Sequence, residues 1–224
     1  MAKHSRSTTI YVALIGDLVA SRQLQPRDRR GTQHGLVALM RELDDVAGDD
    51  LASRFAIASG DEFQGLLRGG DALPDLLWRV RTGVGSTAIR IGIGRGGIHT
   101  DLQPEALGMD GPAFHRAREA ILRSKNESRG APMFAGFGED LDRVLCGIAI
   151  GQHRLRSAWT ERQADVCQRL RDGRSQAEIA SKLRISPQAV NAHVLAAGWS
   201  VHQALDAAMR SALRLSQRGP GGSR

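Results

Sequence analysis

The sequence predicts an α+β fold: a ferredoxin-like βαββαβ antiparallel sheet with helices on one face, followed by a small all-α helix-turn-helix domain. Three observations carry this. Short β-forming apolar runs and helical-period apolar repeats follow one another in the order β-α-β-β-α-β between Thr9 and Ile93. The dipeptide Gly60-Asp61 separates two of the strands as a hairpin turn does. After Thr160, three Ser/Thr caps in succession each open a helical repeat.

Each element has its own reason. Thr9–Ile15 is apolar and β-branched, and Gly16-Asp17 stops it, so it reads as a buried strand. Leu36, Leu39, Met40 and Leu43 repeat at helical spacing and predict a helix over about residues 28–46. Arg54–Ser59 and Phe63–Leu67 are the two arms of the hairpin. Leu73, Leu76, Leu77 and Val80 form the next amphipathic helix, and Ala88–Ile93 the fourth strand. Pro112 begins a helix over Ala113–Arg123, at a turn where a missing N–H costs nothing. Asn126–Phe137 reads as a loop with a short strand, and Glu139–Trp159 as a long helix. Thr160 and Gln163, then Ser175 and Glu178, have capping-box spacing, and Ser186-Pro187 opens a third helix. The expected organisation is a sheet domain over 1–155, a helix-turn-helix domain over 156–215 and a disordered tail over 216–224 rich in Gly and Pro.

Length, charge and cysteine content narrow the function classes. The 224 residues suit one large or two small domains. No apolar run reaches the ~20 residues of a bilayer span, and no apolar stretch before Ile10 resembles a secretory leader. Cys146 and Cys167 make neither a disulfide framework nor a zinc knuckle. A reduced, cytoplasmic protein without a membrane partner is expected. Of the net charge of +7, residues 161–224 hold +5, with 10 Lys and Arg against 5 Asp and Glu. Basic excess gathered in a small terminal unit is either a nucleic-acid footprint or a solvated arginine-rich face.

Four motifs bear on chemistry. The predicted topology sets the first and third strands side by side and antiparallel, so Asp17 meets Asp61 although 44 residues separate them. Two converging carboxylates repel unless a cation lies between them, and Mg²⁺ is held by one or two carboxylates plus phosphate oxygens. The alternative is two ordinary turn residues. Gly92-Ile-Gly94-Arg-Gly96-Gly97 matches a dinucleotide fingerprint formally. No helix opens after it, so it reads as a strand end or a close backbone approach to a ligand or partner chain. His115 and Arg118 share a helix side with Arg123 and Lys125 nearby, and would suit a polyphosphate or form a solvated basic face. The candidate nucleotide contacts are Ser21, Arg22, Glu62, His115 and Arg118. In the C-terminal unit, Gln188 and Asn191 stand where a recognition helix meets base edges, while Arg174, Lys182 and Arg184 would reach phosphates. Trp78, Trp159 and Trp199 read as core or interface anchors, and Cys146 as buried in its helix.

These residues carry resemblances. Ala13-Leu-Ile-Gly-Asp17-Leu-Val-Ala-Ser21-Arg22, Ser59-Gly-Asp61-Glu-Phe63, Arg90-Ile-Gly-Ile-Gly94 and Gly108-Met-Asp-Gly-Pro112 together resemble the SatD family. More distantly, the layout resembles class III nucleotide cyclases and GGDEF-type diguanylate cyclases. That resemblance implies metal-binding acids at Asp17 and Asp61 and a nucleotide ligand. Ser59 replaces the first Gly of a GGDEF signature, and His115 and Glu119 stand near the places of a catalytic Asn and Arg. No catalytic residue is therefore assigned. The C-terminal unit resembles LuxR-type and sigma-factor region-four helix-turn-helix modules, which implies a DNA partner. The leading expectation is a homodimeric DNA-binding regulator with a nucleotide- or metal-sensing domain. The alternatives are a Mg²⁺-dependent nucleotide cyclase or related phosphoryl-transfer enzyme, and a non-catalytic scaffold.

Overall fold

The computed structural model describes residues 9–19, 26–83, 88–126 and 130–217. Five strands and eight helices follow in the order β1 (Tyr11–Leu18), α1 (Pro26–Ala47), β2 (Leu51–Ser59), β3 (Glu62–Leu67), α2 (Leu73–Gly83), β4 (Ile89–Gly96), α3 (Pro112–Asn126), β5 (Met133–Ala135), α4 (Glu139–Ser157), α5 (Glu161–Arg171), α6 (Gln176–Leu183), α7 (Pro187–Ala196) and α8 (Trp199–Gln217). The sheet order is β2-β3-β1-β4-β5. β1 runs antiparallel to both β3 and β4, which reproduces the expected ferredoxin-like core. The sheet is mixed rather than antiparallel, because the short β5 adds to β4 in parallel.

Helices cover both faces, which corrects the expectation of one. Along β1 the even positions Val12, Leu14 and Leu18 join a core with Leu36, Leu39 and Leu43 of α1 and Leu73, Leu76 and Val80 of α2. The odd positions Ala13 and Ile15 pack instead with Ala113, Phe114 and Ala117 of α3. Successive strand residues point to opposite faces, so α3 lies across from α1 and α2. The glycine run makes this possible. A Cβ at Gly92 or Gly94 would collide with the backbone of Ala117 or Ala113. The Gly92-x-Gly94-x-Gly96 stripe is therefore a bed for a helix of the same chain, not a ligand or partner contact.

The three C-terminal caps are present. Thr160 with Gln163 and Ser175 with Glu178 form capping boxes, and the Ser186 hydroxyl accepts from Ala189 N. Val166, Ile179, Ala180 and Val190 give α5–α7 a small core of their own. α8 behaves differently: Met209, Ala212 and Leu213 enter the main core beneath the sheet. A separate all-α helix-turn-helix domain is thus not shown, since the last helix is shared between the two parts.

The seam between the parts is aromatic and ionic. Trp78, Trp159 and Trp199 have ring centroids 5.9–6.5 Å apart, with His202 stacked on Trp199 at 5.5 Å. The tryptophans are interface anchors, as expected, and Cys146 is buried. Asp75 accepts from Arg171 at 2.6 Å and from Arg210 at 2.9 Å. No helix among the described residues is long and apolar enough to cross a membrane. Of the expected disordered tail, residues 218–224 lie outside the described residues.

Candidate functional site

β1 delivers Asp17 to one end of the sheet, with β3 on one side and β4 on the other. The register pairs Asp17 with Glu62 and with Arg90, so these side chains share the α3 face. The Leu18 N–H donates to the Asp61 carbonyl at 3.2 Å, which ties the hairpin turn to the end of β1. Gly16 is required here, because any Cβ would meet the Phe63 ring.

The electrostatics are unbalanced. Burial raises the Asp17 carboxyl above the ordinary range and the nearby Asp61 charge raises it further, while Arg90 and Lys125 pull it back. Arg90 reaches Asp17 Oδ2 at 3.5 Å, at the limit of a hydrogen bond. Asp17 stays about a third exposed, at 34%. The pair fits a hard divalent cation with phosphate oxygens as its other ligands, since a bound cation relieves the mutual repulsion. Among the described residues, no group of three or more His, Cys, Asp or Glu forms a complete protein cage. Asp17 and Asp61 would hold the ion, with phosphate oxygens as its other ligands.

The structure gathers Asp17, Asp61 and Glu62. Ser21 and Arg22 lie outside the described residues. His115 is not brought to the pair. The N-terminus of α3 packs over Gly96 and Gly97, at the opposite end of β4, and the helix runs toward Arg90 only at its end. His115 sits ten residues before Lys125, about 15 Å along the helix. It bonds Asp110 instead, Nε2 to Oδ1 at 2.7 Å, and so holds that carboxyl below its usual range. The cations that do arrive are Arg90 and Lys125. Arg90 was legible as a charged residue interrupting the strand Ala88–Ile93, at the position that the register sets against Asp17.

The C-terminal candidates lie elsewhere. Gln188 and Asn191 are exposed on the first turns of α7. Arg184 caps α6 in the left-handed conformation (φ 54°). Arg174 and Lys182 line a groove with Arg169, and Arg174 pairs with Glu178 at 3.8 Å.

No curated protein matches the chain. Among solved structures, the catalytic core of a rhodopsin-guanylyl cyclase in complex with ATPαS superposes with a TM-score of 0.40 and 17% identity, over 57% of this chain and 78% of that one. The guanylate cyclase domain from Catenaria anguillulae in complex with GTP gives 0.40 and 16%, over 57% and 79%. A bacterial light-regulated adenylyl cyclase gives 0.42 and 12%, over 68% and 81%. The SatD family model matches residues 11–208, sheet and C-terminal helices alike, and the chain belongs to the SatD family.

Proposed function

We propose that the Asp17–Asp61 edge binds a divalent cation together with the phosphates of a nucleotide, as a cyclase-like domain would. The observation that carries this is the approach of two aspartates at the junction of β1 and the β2–β3 turn, where the Asp61 charge raises the Asp17 carboxyl and Arg90 reaches Asp17 only at 3.5 Å. Arg90 orients Asp17 and, with Lys125, adds positive charge for a polyphosphate. The bound ion would supply charge neutralisation between carboxylates and phosphates. The reading extends to binding and not to a named reaction. The residues near the places of a cyclase's catalytic Asn and Arg are His115 and Glu119, and His115 lies far along α3. Calorimetric titration of ATP and GTP with Mg²⁺ or Mn²⁺ tests it. Metal-dependent nucleotide binding that Asp61→Asn weakens at least tenfold is expected. Binding unchanged by that substitution, or no binding, contradicts it.

A second reading, that α6 and α7 bind DNA, rests on a different observation: amide side chains at Gln188 and Asn191 exposed on α7, with Arg174, Lys182 and Arg184 nearby. A homodimer would then set two such helices at half-sites about one helical turn apart. Binding to genomic fragments should weaken steeply with salt. Salt-insensitive or absent binding removes this reading and leaves the first intact.

A further inference from the structure

We infer that a pocket for a small apolar phosphate monoester lies beside the aspartate pair, where α2, β4, the end of α3 and α4 meet, sharing Arg90 and Lys125 with that edge and adding Arg81. The pocket encloses about 350 Å³, the lower range of small-molecule sites. Val80, Ala88 and Ile89 give it an apolar wall, and Arg81, Arg90 and Lys125 give it three cations. Among the described residues, no carboxylate lines it. Arg90 reaches Asp17 and Lys125 also acts on that carboxyl, so Arg81 is the cation that belongs to the pocket alone.

Arg81 is the anchor. Among the described residues it donates to the Gly130 carbonyl at 3.3 Å, which leaves most of its five N–H donors unused. Burial pushes its pKa down to about 10. A planar guanidinium fork and a lysine ammonium suit phosphate oxygens.

A second, independent observation points the same way. Arg81 and His153 also line a smaller inner cavity of about 20 Å³, together with Arg156 and His202. His202 is 2% exposed, and its Nδ1 has no hydrogen-bond partner among the described residues. The carboxylate in that cavity, Asp206, is engaged by Arg171 and Arg210. Arg156 lies over the Trp78 ring at 4.2 Å, and burial followed by the charges of Arg81 and Arg171 brings its pKa down to about 9. The two cavities share Arg81 and His153, and the His202 Nδ1 that borders the smaller one lacks a hydrogen-bond partner among the described residues, as a polar atom awaiting a ligand does.

The test uses the full chain in EDTA, so that failure of the metal site leaves the result untouched. Phenyl phosphate, inorganic phosphate and sulfate at matched ionic strength are titrated by calorimetry and thermal unfolding. Phenyl phosphate should bind and raise Tm, inorganic phosphate should bind more weakly, and sulfate should act only through ionic strength. Arg81→Gln and Lys125→Ala should each weaken phenyl phosphate about tenfold, the loss of one charge-assisted contact. Lys125 is exposed, so its variant keeps the fold. Arg154→Ala, an exposed cation elsewhere on α4, should bind as the unchanged chain does. The inference is overturned if phenyl phosphate does not bind, if sulfate binds as well, or if Lys125→Ala is silent. It is overturned equally if Arg154→Ala weakens binding as much as Lys125→Ala.

Discussion

Asp17 and Asp75 are both half-exposed aspartates, and their surroundings treat them oppositely. Asp75, at the seam with the C-terminal helices, takes Arg171 at 2.6 Å and both of its oxygens take Arg210 at 2.9 Å. Asp17, at the sheet end, has one arginine at 3.5 Å and a second aspartate beside it. The seam spends its charges on each other and on tryptophan rings; Arg156 and Arg171 lie over Trp78 at 4.2 and 4.5 Å. At the edge, Asp17 has only the distant Arg90 contact while the Asp61 charge bears on it. The difference separates charges that join parts of a chain from charges held ready for a ligand.

Damage at the seam should be the most costly to the fold. Trp78 is 5% exposed, its indole N–H donates to Gln168 at 2.8 Å, and it touches every aromatic ring of the cluster. Trp78→Ala should cost about 3–5 kcal/mol, read from urea unfolding. A loss under about 1 kcal/mol would mean that the seam does not hold the C-terminal helices.

Acid should act on the two regions with opposite sign. Burial first, then the charges of Arg156 and Arg171, depresses the His202 pKa to about 4, below the ordinary 6.5. Between those values the unfolded chain binds a proton that the folded chain refuses. Stability therefore falls as pH drops through this window, by about 2–3 kcal/mol at the bottom of it. Asp17 has a raised pKa, so above 3.8 the folded chain holds a proton that the unfolded chain has released. Stability rises there as pH falls. His202→Phe should flatten the acid loss, whereas Asp17→Asn should steepen it by removing the opposing gain. Unfolding curves from pH 4 to 7 distinguish these outcomes, and identical slopes in all three proteins would contradict both assignments.

A smaller effect is expected at Lys182. Its replacement by Ala should leave stability within about 0.5 kcal/mol, as at other exposed positions. If α6 and α7 bind DNA, the same change should lower affinity for all sequences alike, while Asn191→Ala should cost about 1–3 kcal/mol on preferred sites only.

The two regions also differ in how far the sequence discloses them. The aspartate pair was legible because a βαββ order determines which strands neighbour each other, and Gly16-Asp17 and Gly60-Asp61 mark their ends. The caps at Thr160, Ser175 and Ser186 were legible because capping is local. The seam was not. Its partners Asp75, Arg171 and Arg210 are 96 and 135 residues apart, and no local pattern joins them. The basic bias after residue 160 suggested a separate unit, yet Met209, Ala212 and Leu213 belong to the sheet's core. The place of α3 was written in complementary stripes, Gly92-x-Gly94-x-Gly96 on the strand and Ala113, Ala117 and Ala120 on the helix. Small residues signal close approach without naming what approaches.

If Asp17 and Asp61 hold one ion between them, as proposed, removing either carboxylate should release it. A Mn²⁺ titration followed by water-proton relaxation, on the unchanged chain, Asp17→Asn, Asp61→Asn and the double variant, tests it most directly. Each single variant should lose most of the binding, and the double variant should lose no more than either, because two ligands of one ion act as a unit. Binding that survives both single substitutions, or losses that simply add, would contradict the account.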